Sequence, residues 1–221
     1  MGLDYELFAR HMNIGNPLEC FLKGHLWLES CVNNAMEAHL ANPDALRVDR
    51  MTFSAKVSLC DALGAFTSAD LRALRTLNKL RNRLAHQLDA DFDEAELLAI
   101  GNELDGHTAH LYHSPEREEG DGVQATIVFI IFALVTSLEF QNMRAVYHKR
   151  YQTEHIAFAA RTMVRRNMSR YNPSLGSYDP ERDDPAIREQ VGLPEPPQPR
   201  DVWDGLSFPG QTGLSDDSAA P

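Results

Sequence analysis

Leu77-Asn78-Lys79-Leu80-Arg81-Asn82-Arg83-Leu84-Ala85-His86-Gln87 carries two patterns at once. At the helical rotation of about 100° per residue, Leu80, Leu84 and Leu88 fall into one apolar seam. Asn82 and His86, at i and i+4, share a face that lies roughly 160–200° around the helix from that seam. Arg81 sits on the flank with a side chain long enough to reach the same surface. The segment therefore predicts an amphipathic helix whose Arg81, Asn82 and His86 point away from its own core, toward solvent, another helix or a second subunit.

Working outward, the first 170 residues read as helix almost throughout, with Pro17, Pro43 and Pro115 as their only prolines. Asn16-Pro17 has the form of a helix start, Asn as cap and Pro in the first turn. From Leu18 to Leu40 apolar residues recur with a helical period, including Phe21, Leu22, Leu28, Cys31, Val32 and Met36. Asn42-Pro43-Asp44 breaks that run. A second helix is predicted over Thr52 to Phe66, and a third from Ser68 to about Leu88. A fourth, Asp91 to Leu104, has the acidic first turn that suits a helix N-terminus. An acidic, His-bearing linker follows from Asp105 to Gly122, then one long helix or two joined ones from Val123 to Arg170. No alternating β-branched stretch long enough for a sheet is present. The expected fold is all-α, an antiparallel bundle of four to five helices over residues 1–170.

Residues 171–221 differ in composition. They hold nine of the twelve prolines and ten acidic against three basic residues, a charge of −7, which leaves −4 of the total −11 for residues 1–170. Such a segment buries too little apolar surface to offset the entropy of ordering, so it reads as a largely disordered, acidic, Pro-rich tail. Val202-Trp203, with Leu206 and Phe208, is the one patch in it suited to docking on the core or on a partner.

The overall acidity argues against coating nucleic acid by bulk charge, yet charge is segregated along the chain. Residues 89–121 hold eleven acidic side chains and one basic one, whereas residues 141–170 hold seven basic side chains and one acidic one. Arg144, Lys149, Arg150, Arg161, Arg165 and Arg166, with Lys79 and Arg83 of the third helix, are the candidate RNA-binding residues. Solvated helix faces are the plain alternative.

Arg, Asn and His on one surface suit phosphoryl transfer on RNA without a metal. A 2′-hydroxyl must lose a proton and a leaving 5′-oxygen must gain one, and histidine does both near neutral pH. Arginine stays protonated and stabilises the charged phosphorane, while asparagine orients the imidazole or the phosphate. Arg81, Asn82 and His86 are thus the candidate catalytic residues, with no cofactor and no metal. The same residue types are more commonly capping, exposed or structural.

Arg81-Asn82-Arg83-Leu84-Ala85-His86 resembles the R-x4-6-H signature of HEPN domains, in the form where Asn follows Arg. Thr52 to Gly64 followed by Leu77 to His86 resembles more closely the helix pair of the mannitol-repressor-like branch; the likeness covers roughly residues 18 to 110. The resemblance implies a small helical bundle and, for many members, metal-independent endoribonucleases of toxin–antitoxin and antiviral defence systems. It implies a homodimer in which two copies of the motif form one cleft, an RNA substrate, a 2′,3′-cyclic phosphate product, and an antitoxin or defence-system partner protein. Toxins silenced by a nucleotidyltransferase antitoxin carry Tyr two residues after the signature His. Leu88 stands there, so silencing by AMPylation of that residue is not expected. The alternative implied by the nearer branch is a non-catalytic regulator acting through protein–protein contacts.

Other signals are weaker. His107, His110 and His113 recur every third residue, but Gly106 and Pro115 disfavour a long helix there, and exposed histidines are the simpler reading than a zinc site. No phosphate-binding glycine loop, GxSxG elbow or HExxH motif occurs. Cys20, Cys31 and Cys60 form no CxxC pair, which excludes a Cys-rich zinc module and argues against a disulfide framework. Cys60 reads as a buried structural thiol. The N-terminal residues lack a basic then apolar pattern, so no secretory signal is predicted. The nine-residue apolar run Ile127 to Val135 is about half a bilayer span and reads as a core helix. The expectation is a cytoplasmic protein with reduced thiols and no membrane association.

Overall fold

Three helix starts in this chain, at Pro17, Phe53 and Ser68, are set by short polar side chains placed before apolar runs. In the computed structural model, which describes residues 3–113 and 122–204, Asn16 Oδ1 accepts from the N–H groups of Leu18 and Glu19, and α2 (Pro17–His39) begins there with Pro at its first position. Thr52 caps α3 (Phe53–Ala62) and Thr67 caps α4 (Ser68–His86) in the same way, each hydroxyl accepting from the N–H three residues on. Before them lie β1 (Leu3–Asp4) and α1 (Tyr5–Met12), and after them α5 (Glu94–Asn102), capped by Asp93, and α6 (Gly106–Tyr112). α7 (Val123–Arg150), α8 (Gln152–Tyr171), α9 (Pro180–Val191) and β2 (Trp203–Asp204) complete the order.

Nine α-helices among the described residues overturn the expected four- to five-helix bundle, and with it the HEPN and mannitol-repressor-like resemblance as a statement of architecture. The additional helices are short ones whose caps and packing outweigh a weak apolar period. α1 is held by Asp4, which accepts from Leu7 N–H, and buries Phe8 and Met12. α6 crosses the segment expected to be a linker and buries Thr108 and Tyr112; residues 114–121 of that linker lie outside the described residues. α9 falls in the stretch expected to be disordered. Asp179 caps it, Pro180 fits its first position, and Gly192 ends it with φ of 76°, a left-handed turn that costs glycine little. The patch Val202-Trp203 is buried: Val202 ends a short 3-10 turn, and Trp203 opens β2, which pairs in parallel with β1, Leu3 opposite Trp203. Leu206, Phe208 and the rest of 205–221 lie outside the described residues. The expected seam of α4 is also displaced. Leu80 is buried, Leu84 is half-buried, and Leu88 lies beyond the helix end and is fully exposed; Ala73, Leu74 and Leu77 fill the core side instead.

The chain divides into two units, residues 1–142 with 198–221, and residues 143–197. In the first, α2 and the N-terminal part of α7 pack closely. A Cβ on Gly24 would stand 2.8 Å from Ile131 Cγ1, so glycine is what permits that approach. Asn142 Nδ2 donates to the Cys31 carbonyl at 2.9 Å. Asp70, fully buried, joins three helices. It accepts from the Thr108 hydroxyl at 3.0 Å and from Gln141 Nε2 at 2.8 Å, while Ser137 Oγ lies 2.7 Å from the same hydroxyl. α7 is long and apolar enough to cross a membrane, yet Ile127, Ile130, Ile131, Leu134, Val135 and Leu138 on it are buried inside the unit.

In the second unit, the Tyr147 hydroxyl donates to the Pro194 carbonyl at 2.6 Å, and the Arg188 guanidinium lies 4.8 Å from the centre of the Phe158 ring. Asp183 accepts from Arg182 and from the backbone N–H of Asp179, which hold its carboxyl down to about 2.

Candidate functional site

The outer face of α4 carries Arg81, Asn82 and His86, all three exposed. Arg81 Nη1 donates to Asn82 Oδ1 at 3.3 Å, so the two form one polar group on the surface. His86 stands one turn beyond Asn82, in the last turn of the helix. Arg83, two residues from Arg81, is spent differently: both of its terminal nitrogens bond the Glu96 carboxylate of α5. That pairing removes most of its value as a phosphate contact. Lys79 is exposed on the same helix.

The remaining candidate RNA-binding residues, Arg144, Lys149, Arg150, Arg161, Arg165 and Arg166, belong to the second unit. All are exposed except Arg165, which is half-buried and donates to the Leu175 carbonyl at 3.2 Å. Arg150 lies against the Tyr151 ring at 5.2 Å.

Beside Arg81 and Asn82 a groove of about 590 Å³ opens between α2, the start of α3 and α4. Its inner end is His25, which the sequence reasoning missed. The ring is 6% exposed and packs 4.4 Å from the Phe53 ring, and its Nε2 has no hydrogen-bond partner. Burial lowers the pKa of His25, and the Arg81 guanidinium lowers it further; Glu29 and a polar contact with Asn78 work the other way. Glu29 is itself bound by Lys56 Nζ at 2.6 Å, with the lysine side chain almost wholly buried. A signal for His25 was present in the sequence: it occupies a core position of the α2 period, four residues after Phe21 and three before Leu28, where a polar ring needs a reason.

His107 and His155 are shifted down as well, His107 by burial and then by His110, His155 by burial and then by His148 and Arg188. The sign follows from linkage. A histidine whose folded pKa is depressed takes up its proton first in the unfolded chain, so stability present above about pH 6.5 is lost progressively as pH falls from there through the lower folded pKa. We expect the urea midpoint to drop between pH 7 and pH 5.5, and the drop to become shallower in His25→Phe. A midpoint independent of pH in that window would contradict the burial of these rings.

Among the described residues no group of three or more His, Cys, Asp or Glu side chains is placed to hold a metal ion. The three thiols are free and buried, and burial pushes Cys20 and Cys60 up to about 11 and Cys31 well above its ordinary value, so none is a ready nucleophile. What the surface of α4 and the adjoining groove offer chemically is a guanidinium, carboxamides, one exposed and one buried imidazole, and unmatched N–H groups at a helix start. Comparison with family models, with characterised proteins and with solved structures finds no match for the chain.

Proposed function

We propose that the protein is a metal-independent endoribonuclease whose reacting groups are Arg81, Asn82 and His86 on the outer face of α4. The observation that carries the reading is the contrast between neighbours: Arg83 is committed to Glu96, while Arg81, Asn82 and His86 are exposed together on one surface. In the reaction the ribose 2′-oxygen attacks phosphorus and gives its proton to an imidazole. The bond to the 5′-oxygen breaks, and a second imidazole returns a proton to that leaving oxygen. Arg81 stabilises the charge on the phosphorane, and Asn82 holds Arg81 in place. The products are a 2′,3′-cyclic phosphate and a free 5′-hydroxyl.

Two acid–base groups are needed, and the outer face of one α4 supplies one. A second copy of the chain would supply the other His86 by symmetry. An exposed apolar row on α2, Leu18, Leu22 and Leu26 at successive turns, supports such a contact, with exposures of 41%, 40% and 61%. The same row favours the second reading, a non-catalytic regulator that works through protein contacts, with a neutralising or defence-system protein as the occupant.

Incubation of the full chain with an RNA pool in EDTA separates the two. Wild type should cut the pool and leave cyclic phosphate ends, and Arg81→Ala and His86→Ala should each slow cleavage at least about a hundredfold, the usual contribution of one acid–base group. Equal cleavage by the variants would remove the site assignment. A wild-type chain that cuts nothing and co-purifies with a protein partner would transfer the conclusion to the regulatory reading.

A further inference from the structure

The groove beside α4 presents three features from three helices. The first is His25 Nε2, buried and without a hydrogen-bond partner at the inner end. A buried polar atom left unpaired raises the energy of the empty groove, and a ligand atom that reaches it recovers that energy. The second is the start of α3. The Thr52 hydroxyl is occupied by Ala55 N–H, which leaves the N–H groups of Phe53 and Ser54 with no acceptor inside the helix, at its positive end. The third is Arg81, which lines the groove together with His25 and Asn82. Lys56 adds nothing to the balance because Glu29 neutralises it. Positive charge is therefore left over in the groove. Its walls are apolar: Leu22 and Leu26 are half open to solvent on one side, and the Phe53 ring lies on the other.

We infer that this groove binds a small organic anion, an aromatic or branched apolar body carrying one phosphate or carboxylate head. The head lies against the Phe53 and Ser54 N–H groups and Arg81, where a doubly or singly charged oxygen cluster meets three donors. The body packs between Leu22, Leu26 and Phe53, and a polar atom of the ligand meets His25 Nε2. Pockets of this size and mixed lining accept molecules of that class. The assignment holds whether or not RNA is cut at α4, since it uses the inner end of the groove and the α3 start in addition to Arg81.

Titration calorimetry on the full chain with phenyl phosphate, benzoate, inorganic phosphate and phenol tests it. Phenyl phosphate or benzoate should bind at least about tenfold more tightly than inorganic phosphate and phenol, and the comparison of the first two identifies the preferred head. Arg81→Gln and His25→Phe should each weaken the better probe several-fold, with circular dichroism confirming that both variants fold. Binding of phenol as tight as phenyl phosphate, no heat from any probe at ten millimolar, or unchanged affinity in both variants would overturn the site. A chain that binds phenyl phosphate but cuts no RNA would keep the groove and discard the nuclease.

Discussion

Trp203→Ala should lower the unfolding free energy by about 4 kcal/mol, within the range for removing a buried tryptophan. The side chain is 3% exposed, although it sits within an acidic, proline-rich segment. Its ring stacks on Phe132 of α7 at 5.6 Å and 13°, lies 4.8 Å from Phe8 of α1, and meets Tyr5 edge-on at 5.8 Å. Its Nε1 donates to the Thr136 hydroxyl at 2.7 Å, and that hydroxyl in turn donates to the Phe132 carbonyl at 2.7 Å. Alanine would leave a cavity walled by rings that cannot collapse into it, because each is fixed by its own helix. It would also loosen β2 from β1, since Trp203 is one of the two residues in that pairing. Trp203→Phe keeps most of the packing and loses the indole bond, so it should cost only about 1–2 kcal/mol. Urea denaturation followed by circular dichroism measures both, with Trp27 left as a fluorescent reporter. A loss under about 1 kcal/mol for Trp203→Ala would show that residues 198–204 are not part of the first unit.

The second large effect is expected at Gly101, in the last turn of α5. A Cβ built there falls within the ring of Tyr112, whose side chain is fully buried at the end of α6. Backbone of one helix thus touches the ring of the next, and neither has room to move: Thr108 on α6 is tied to Asp70 and Ser137. Gly101→Ala should destabilise by about 3 kcal/mol, at the upper end for overpacking, despite the better helix propensity of alanine. The sign of that effect is the informative part, because alanine at an unconstrained helical glycine stabilises. Tyr112→Leu should cost stability alone but absorb much of the cost of Gly101→Ala in the double variant, which a double-mutant cycle reads as a favourable coupling. Additive losses would mean that the two residues do not touch.

Asp70 explains why these local effects reach across the first unit. It is buried in the first turn of α4 and holds groups from α6 and α7, so α4 is anchored at the end opposite His86. The exposed Arg81–His86 turn projects from a helix whose other end is fixed, which is the arrangement a surface site needs.

Several local features are legible in the chain itself. Asn16 before Pro17 marks the start of α2, and the apolar period that follows marks its buried face. The exposure of Asn82 and His86 follows from their spacing alone, since a helix cannot turn them toward Leu77 and Leu80. The buried seam of α4 falls about one turn earlier than the Leu80, Leu84, Leu88 spacing predicts, because the helix ends at His86 and leaves Leu88 beyond it. α1, α6 and α9 were not legible. Their apolar periods are too short to stand out; α1 and α9 are held by the caps Asp4 and Asp179, and α6, which has no side-chain cap, by the burial of Thr108 and Tyr112.

What the chain determined unaided is therefore local: where most long helices begin, which residues of α4 face outward, and that Arg81, Asn82 and His86 share a surface. Tertiary structure alone decided that Trp203 fills the aromatic cluster of α1, α2 and α7, that Arg83 is taken by Glu96, and that His25 meets Arg81 and Phe53 in one groove. The physical reason is range. Capping and helical period act within a few residues, whereas these contacts join side chains 13 to 198 positions apart, the farthest being Tyr5 and Trp203, and their formation depends on how whole helices pack.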